Sequence, residues 1–286
     1  MKNLLSIILI LLSGVVDSHE VVKPAIAVRS VGALTGEVTY LGNTGLMVSH
    51  GDQQVLFDPF FHRHFNHYQL VPADIKSAIF AKKPPYDSIE MIFISHAHGD
   101  HFDAKDVLEY LKLNPVTQLV APSQAVDQLK VLSGYQAIKK QVVGLELNYG
   151  DQPIEMTFVG IDVGAVRIPH AGWPGRADVS NLVYRVTLNK QVTVMHMGDA
   201  DPDDLHFKPW ANYWAQKVTH NAFPPYWFLT HSVGQQILAE RINSLHHTGI
   251  HVPVVVPDQL QYSGEDYFSV PGKTIKLKQI KNTLTK

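Results

Sequence analysis

Cysteine is absent from this chain of 286 residues. That absence removes disulfides, thiolate metal ligands and cysteine nucleophiles together, so any metal site must be built from histidine and carboxylate. An excess of one charge is also missing. The 24 Lys and Arg stand against 26 Asp and Glu, which leaves no basic surface to neutralise a phosphate backbone and argues against nucleic acid as a partner. There is no linker, no low-complexity tract and no repeat of solenoid period. With 45% hydrophobic and 17% charged residues, the chain can bury a sizeable core, and one domain is the expectation.

The long apolar run is confined to the start. MKNLLSIILILLSGVVDSHE has an early lysine, an apolar stretch over residues 4–16 and small residues at Val16 and Ser18. The stretch is shorter than the roughly 20 residues of a membrane-spanning helix, and the pattern reads as a signal peptide over residues 1–18. Export to the periplasm or the medium is expected, with a mature domain of residues 19–286 and no membrane span after cleavage. Lacking cysteine, the chain cannot be the lipid-anchored kind of exported bacterial protein.

The hydrophobic spacing gives a coarse order of elements. EVTYLGNTGLMVSHGDQQVLFDPF reads as short strands broken by Gly-Asn-Thr-Gly and His-Gly-Asp turns. MIFIS is a buried strand, and AKDVLEYLKL has helical spacing with Asp103 as its N-cap. Strands are predicted at TQLVAPS, IEMTFVGIDV, NLVYRVTL and QVTVMHMG, with a helix over residues 123–132. A helix over residues 233–242 leads to final strands at GIHVPVVV and KTIKLKQ. Strand clusters with helices in both halves predict a layered α/β protein, two stacked sheets covered by helices.

Directly after the MIFIS strand comes FISHAHGDHFD, which puts three histidines and two aspartates into residues 93–103. A loop leaving a buried strand is where a rigid sheet can hold ligands in fixed geometry. His96 and His98 are one residue apart and point the same way; Asp100 and His101 follow where the chain turns and can face a second ion. A set of helix-capping and solvated polar residues is the bland alternative, and the density of the pattern speaks against it.

This H-x-H-x-D-H resembles the signature of the metallo-β-lactamase superfamily, and further pieces occur in that family's order. LFDP with Asp58 resembles the aspartate that supports the metal site. IPHAGWPGRADVSN with His170 resembles the segment of the third histidine. VMHMGDAD with Asp199 resembles the strand end that supplies a bridging carboxylate. The resemblance implies a four-layer αβ/βα sandwich with the site at one edge. It also implies two divalent cations, with His96, His98 and His170 at one, Asp100, His101 and His251 at the other, and Asp199 between them. Zinc suits these ligands best, although manganese and iron are also accepted by them. A last histidine is needed near the C-terminus, and His231, His246, His247 and His251 compete; His251 is favoured because TGIHVP follows a helix.

The implied activity is hydrolysis, with a hydroxide shared by two metals attacking an ester, lactone or phosphodiester bond and Asp100 and Asp199 as catalytic carboxylates. Asp58 would fix a ligand histidine through its other ring nitrogen. Gly175-Arg176-Ala177-Asp178 with Asn181 resembles the branch that includes phospholipase D-like and ascorbate-phosphate lactonase-like members, which points to a small-molecule or lipid-like substrate. Arg176 would hold an anionic group of that substrate or pair with Asp178. In FHRHFNHY, His62, His64 and His67 would line the cleft or pack on the surface. The alternatives are an exported metal-binding protein without activity, an all-histidine β-lactamase, or oxygen chemistry on iron.

Overall fold

The computed structural model describes residues 36–277. The proposed signal peptide lies outside the described residues. Among the described residues twelve strands form two sheets, ordered β12-β1-β2-β3-β4-β5-β6 and β11-β10-β9-β8-β7. The first sheet opens with β1 (Glu37–Gly42), β2 (Gly45–His50) and β3 (Gln53–Phe57), an antiparallel meander. Parallel strands follow: β4 (Ile89–Phe93), β5 (Gln118–Pro122) and β6 (Val142–Leu145). Parallel neighbours need crossovers. These are α1 (Ala73–Phe80), α2 (Ala104–Leu113), then α3 (Ser123–Lys130) with α4 (Tyr135–Ile138).

The second sheet contains β7 (Ile154–Phe158), β8 (Ile161–Arg167), β9 (Leu182–Leu188), β10 (Val192–His196) and β11 (Asn221–Phe223). Outside it lie α5 (Asp204–Phe207), α6 (Ala211–Ala215), α7 (Trp227–Thr230) and α8 (Ser232–Glu240). α9 (Asp258–Gln261) and β12 (Thr274–Lys276) complete the order. Three apolar clusters hold the layers. One joins the sheets face to face through Phe57, Phe93, Ala165, Tyr184 and Val194. Another packs α2 and α3 on the first sheet through Ile92, Leu111, Leu119 and Leu129, and the third packs Met195 against Phe207, Trp214 and Ile237. The result is the four-layer αβ/βα sandwich that the resemblance implied.

Some local readings need correction. IEMTFVGIDV is two strands, because Val159 (φ 48°) and Gly160 (φ 82°) form a left-handed two-residue hairpin turn. GIHVPVVV is not a strand: Gly249 and Ile250 make only single bridges, to Tyr267 and Pro225. His251 turns the chain with φ 60°, and Pro253 has no N–H to give to a ladder. β12 is a short edge strand on β1, and the rest of KTIKLKQ beyond residue 277 lies outside the described residues. Asp103 does cap α2, accepting the Asp106 N–H at 2.9 Å. No described helix is long and apolar enough to cross a membrane.

Candidate metal centre

The order of the strands gathers the chemistry at one edge. β3 and β4 run parallel, and β8 and β10 run the same way because each is antiparallel to β9. Their C-terminal ends therefore deliver Asp58 and the loop of residues 95–101 from one sheet, and His170 and Asp199 from the other. Lacing between the last two segments is tight. The Ala171 N–H donates to the Asp199 carbonyl at 2.7 Å and the Asp201 N–H to the Pro169 carbonyl at 2.8 Å. Asp201 in turn accepts the Gly172 and Trp173 N–H groups, so His170 cannot move independently of Asp199.

The potential ligands form overlapping groups: His96, His98 and His170; His96, His101 and Asp199; Asp100, His101 and His251. Within each group the ligand atoms lie within 4.8 Å of one another. The ring centres of His98 and His170 are 4.8 Å apart. Asp199 reaches members of all three groups. Its Oδ1 is 3.2 Å from His101 Nε2, while its Oδ2 is 3.3 Å from His170 Nε2 and 3.2 Å from His251 Nε2. Asp100 Oδ2 lies 3.6 Å from His251 Nε2 and 3.7 Å from His101 Nε2.

Hydrogen bonds behind the rings decide which nitrogen faces inward. His170 Nδ1 is 2.8 Å from the Ala171 carbonyl and must donate to it, leaving Nε2 of the neutral ring with a lone pair. His101 Nδ1 is 2.9 Å from Asp58 Oδ2. The Ser95 hydroxyl donates to Asp58 at 2.6 Å, so His96 Nδ1 donates to that hydroxyl oxygen at 3.1 Å and its Nε2 also turns inward. Asp58 is fully buried and also accepts the Ser95 N–H and the Thr44 hydroxyl. Such outer contacts fix tautomer and ring orientation in histidine metal sites.

The inward atoms are short of partners. His101 Nε2, His170 Nε2, Asp199 Oδ1 and both ring nitrogens of His251 are buried without a hydrogen bond. Although they approach one another within 3.3 Å, the contacts are too poorly aligned to count as hydrogen bonds. Lone pairs facing carboxylate oxygens in a buried space need positive charge between them. A divalent cation supplies it, and this donor set of imidazole and carboxylate fits one.

Proton affinities carry the same imprint. Burial, with the neighbouring His101, pushes His96 well below the ordinary imidazole value. At His101 burial works the same way, but Asp199, Asp58 and Asp100 outweigh it and raise the pKa well above its ordinary value. Asp199 is held well below the ordinary carboxylate range: burial would raise it, and His101 and His251 overcome that.

Several sequence expectations fall elsewhere. His62 is exposed with Nε2 2.9 Å from Asp106 on α2, and His64 offers its carbonyl to the His67 and Tyr68 N–H groups. Neither lines the cleft beside the metal centre, because the carboxylate of α2 draws the His62 ring away. The loop they belong to does line it, through Arg63, Phe65, Asn66, His67 and Tyr68, as does Arg176. Arg176 makes no ion pair with Asp178 among the described residues. Of the competing histidines, His231 precedes α8 with Nδ1 2.9 Å from the Trp227 carbonyl, and His247 lies 2.6 Å from the Ser244 hydroxyl. His246 lines a different cavity, with Asn221 and Phe268.

Other contributors were not singled out in the sequence. Asn43 accepts the His251 N–H on its carbonyl at 3.0 Å and donates its amide to the Asp100 carbonyl at 2.8 Å. Thr44 touches Asp58 and His101, and His196 Nε2 donates to the Thr44 carbonyl at 2.9 Å. Asn181, which the sequence did single out but only with the Gly175–Asp178 segment, accepts the Asp199 N–H at 3.0 Å. The Gly-Asn-Thr-Gly turn was a signal for two of these, but of a turn only.

A two-sheet sandwich with a His/Asp cluster at one edge defines a class of metal-centre proteins. Within that class, the sequence model of the Beta-lactamase superfamily domain matches residues 37–212, and the chain belongs to this superfamily. A UPF0173 metal-dependent hydrolase of Pyrococcus furiosus is 27% identical over 167 residues, 57% of this chain and 61% of that protein. The chain thus matches less than two thirds of that relative's length. Igni18, a metallo hydrolase of Ignicoccus hospitalis, superposes with a TM-score of 0.54 at 15% identity over 85% of this chain and 99% of that one. CmlA, a diiron beta-hydroxylase of Streptomyces venezuelae, superposes with a TM-score of 0.52 at 14% identity over 85% of this chain and 54% of its own. These likenesses concern the fold.

Proposed function

We propose that this chain is an exported metal-dependent hydrolase working with two divalent cations, zinc first among them, on a small-molecule or lipid-like ester, lactone or phosphodiester. The observation that carries the reading is Asp199, whose carboxylate reaches His170 of one ligand group through Oδ2 and both His101 and His251 of the other, through Oδ1 and Oδ2. His96, His98 and His170 would hold one cation, and Asp100, His101 and His251 the other. Bound divalent cations lower the pKa of water and polarise the bond under attack.

The chain's own residues do the rest. Asp100, at the mouth of the second group, orients the attacking water and accepts its proton. Asp58 and the Ala171 carbonyl keep the His101 and His170 rings in the tautomer that presents Nε2 inward. Trp227 and Tyr68 pack edge-on against the His251 ring and shield it from water. The name of the Pyrococcus furiosus relative supports hydrolysis; the CmlA likeness shows why the fold alone does not choose it over oxygen chemistry.

Metal analysis of the purified protein, joined to a screen of lactones, esters and phosphodiesters with and without chelator, tests the reading. Zinc at about two per chain with chelator-sensitive hydrolysis is the expected result. Iron with oxygen consumption and no hydrolysis would overturn it. For export, N-terminal sequencing of the protein from its native host should begin near residue 19; retention of Met1 on cytoplasmic protein would refute that part.

A further inference from the structure

Five arginines lie among the described residues, and three have guanidinium groups held by protein acceptors. Arg241 forks onto Asp204, Arg167 donates to the Leu147, Ala177 and Val179 carbonyls, and Arg185 is buried against Tyr213, Trp214 and their carbonyls. The guanidinium groups of the other two, Arg63 and Arg176, have no hydrogen-bond or ion-pair partner among the described residues. Both line the same cleft of about 680 Å³, whose floor includes His98, Asp100, His170, Asp199 and His251. A pair of free guanidinium groups at one cavity is a specific arrangement, since they match oxyanions in bidentate geometry.

Their placement is built into the ligand loops. The Arg63 N–H donates to the Gly99 carbonyl at 3.0 Å, and its side chain lies across Gly99, between the ligand candidates His98 and Asp100. A Cβ at Gly99 would stand 2.6 Å from Arg63 Cδ, so the glycine makes room for the arginine stem. Arg176 comes from a different loop and runs alongside Gly172, with Cδ 3.6 Å from where a Cβ would be. Both side chains are exposed whereas His96, His101 and Asp199 are buried, which puts the guanidinium groups at the mouth of the cleft. The carboxylates lining it, Asp100 and Asp199, point to the metal groups. Beside Arg63 stands Phe65, 63% exposed, and Tyr68 and Trp227 complete an aromatic wall.

We propose that Arg63 and Arg176 together form a two-point anchor, or clamp, for an oxyanion on the substrate, a carboxylate or a phosphate distinct from the bond being hydrolysed, with the apolar part of the substrate against Phe65, Tyr68 and Trp227. This substrate class rests on the hydrolase reading of the same site. Lysine would not serve equally, because a point charge lacks the planar fork.

The test compares zinc-loaded wild type with Arg63→Met, Arg176→Met and, as a control outside the cleft, Arg241→Met. Two esters report selectivity, neutral p-nitrophenyl butyrate and the anionic mono-p-nitrophenyl ester of glutarate. Wild type should favour the anionic ester, and each cleft variant should lower the ratio of kcat/KM values for anionic over neutral ester by about tenfold, mainly through KM. Arg241→Met should keep the wild-type ratio. Arg176→Glu should fall further than Arg176→Met, and thermal melting checks that the variants fold. A ratio unchanged in both cleft variants would overturn the clamp.

Calorimetric binding of glutarate and of glycerol 2-phosphate to the zinc-loaded proteins separates this idea from the hydrolase reading. If no ester is cleaved but either anion binds about tenfold weaker to the cleft variants, the clamp stands and the hydrolase reading falls. Equal binding to wild type and variants overturns the clamp. The stronger of the two anions identifies carboxylate or phosphate as the group recognised.

Discussion

Oδ1 of Asp199 stands 3.2 Å from Nε2 of His101, and both atoms are buried without a hydrogen bond. The other oxygen of the same carboxylate faces His170 and His251. One side chain thus serves both groups of ligands. Asp199→Ala should therefore cost the protein both metals and abolish hydrolysis, as read by elemental analysis and initial rates. Hydrolysis that survived this change would end the two-metal reading.

His251 belongs to one group only. His251→Ala should lower the metal content from about two to about one per chain, whereas His231→Ala, outside the cleft at the start of α8, should leave it near that of the wild type. The reverse pattern would transfer the last ligand to His231 and leave the superfamily assignment intact.

Asp58 touches no candidate ion; it acts through His101, Ser95 and Thr44. Asp58→Asn puts an amide donor where the His101 Nδ1–H needs an acceptor. Metal affinity should fall by about 10- to 100-fold, with the loss concentrated in the ion held by His101. A competition titration with a zinc chelator measures it, and unchanged affinity would show that the ring is oriented by packing alone.

Acid–base behaviour of the metal-free protein follows from the same carboxylates. His101 and His251 have pKa values above the ordinary 6.5: burial opposes their charge, and Asp199 leads the groups that overcome it. A raised histidine pKa contributes stability that is complete below the unfolded value and is lost as pH rises through the folded one. Histidines shifted downward, such as His96 and His98, act in the opposite sense below 6.5. The Tm of chelator-treated protein should therefore fall as pH rises above the ordinary imidazole value, and added zinc should remove that fall by taking the place of the proton. A flat Tm in the metal-free protein would contradict the assigned charge balance.

What the sequence determined by itself is concentrated where neighbours in the chain are neighbours in space. HAHGDH is legible because four ligand candidates hang from one loop after one apolar strand, and LFDP, IPH and MGD because each closes a β-rich apolar run that marks a buried strand. The stacked sheets followed from the order of strands and helices. GIHVPVVV misled, since its β-branched run carries strand propensity while Pro253 and the left-handed backbone of His251 prevent a ladder.

Tertiary structure alone decided which distant residues meet. Asn43 ties His251 to Asp100 only because the β1–β2 turn reaches the same sheet edge. His196 reaches Thr44 across the two sheets, and Arg63 lies over Gly99 because the loop after β3 folds back on the ligand loop. No periodicity or spacing encodes such contacts, for they depend on how two sheets stack and which loop ends share an edge. The same holds for His62, whose ring goes to Asp106 rather than to the cleft. Local propensity sets the elements, whereas burial and packing between them set which side chains converge.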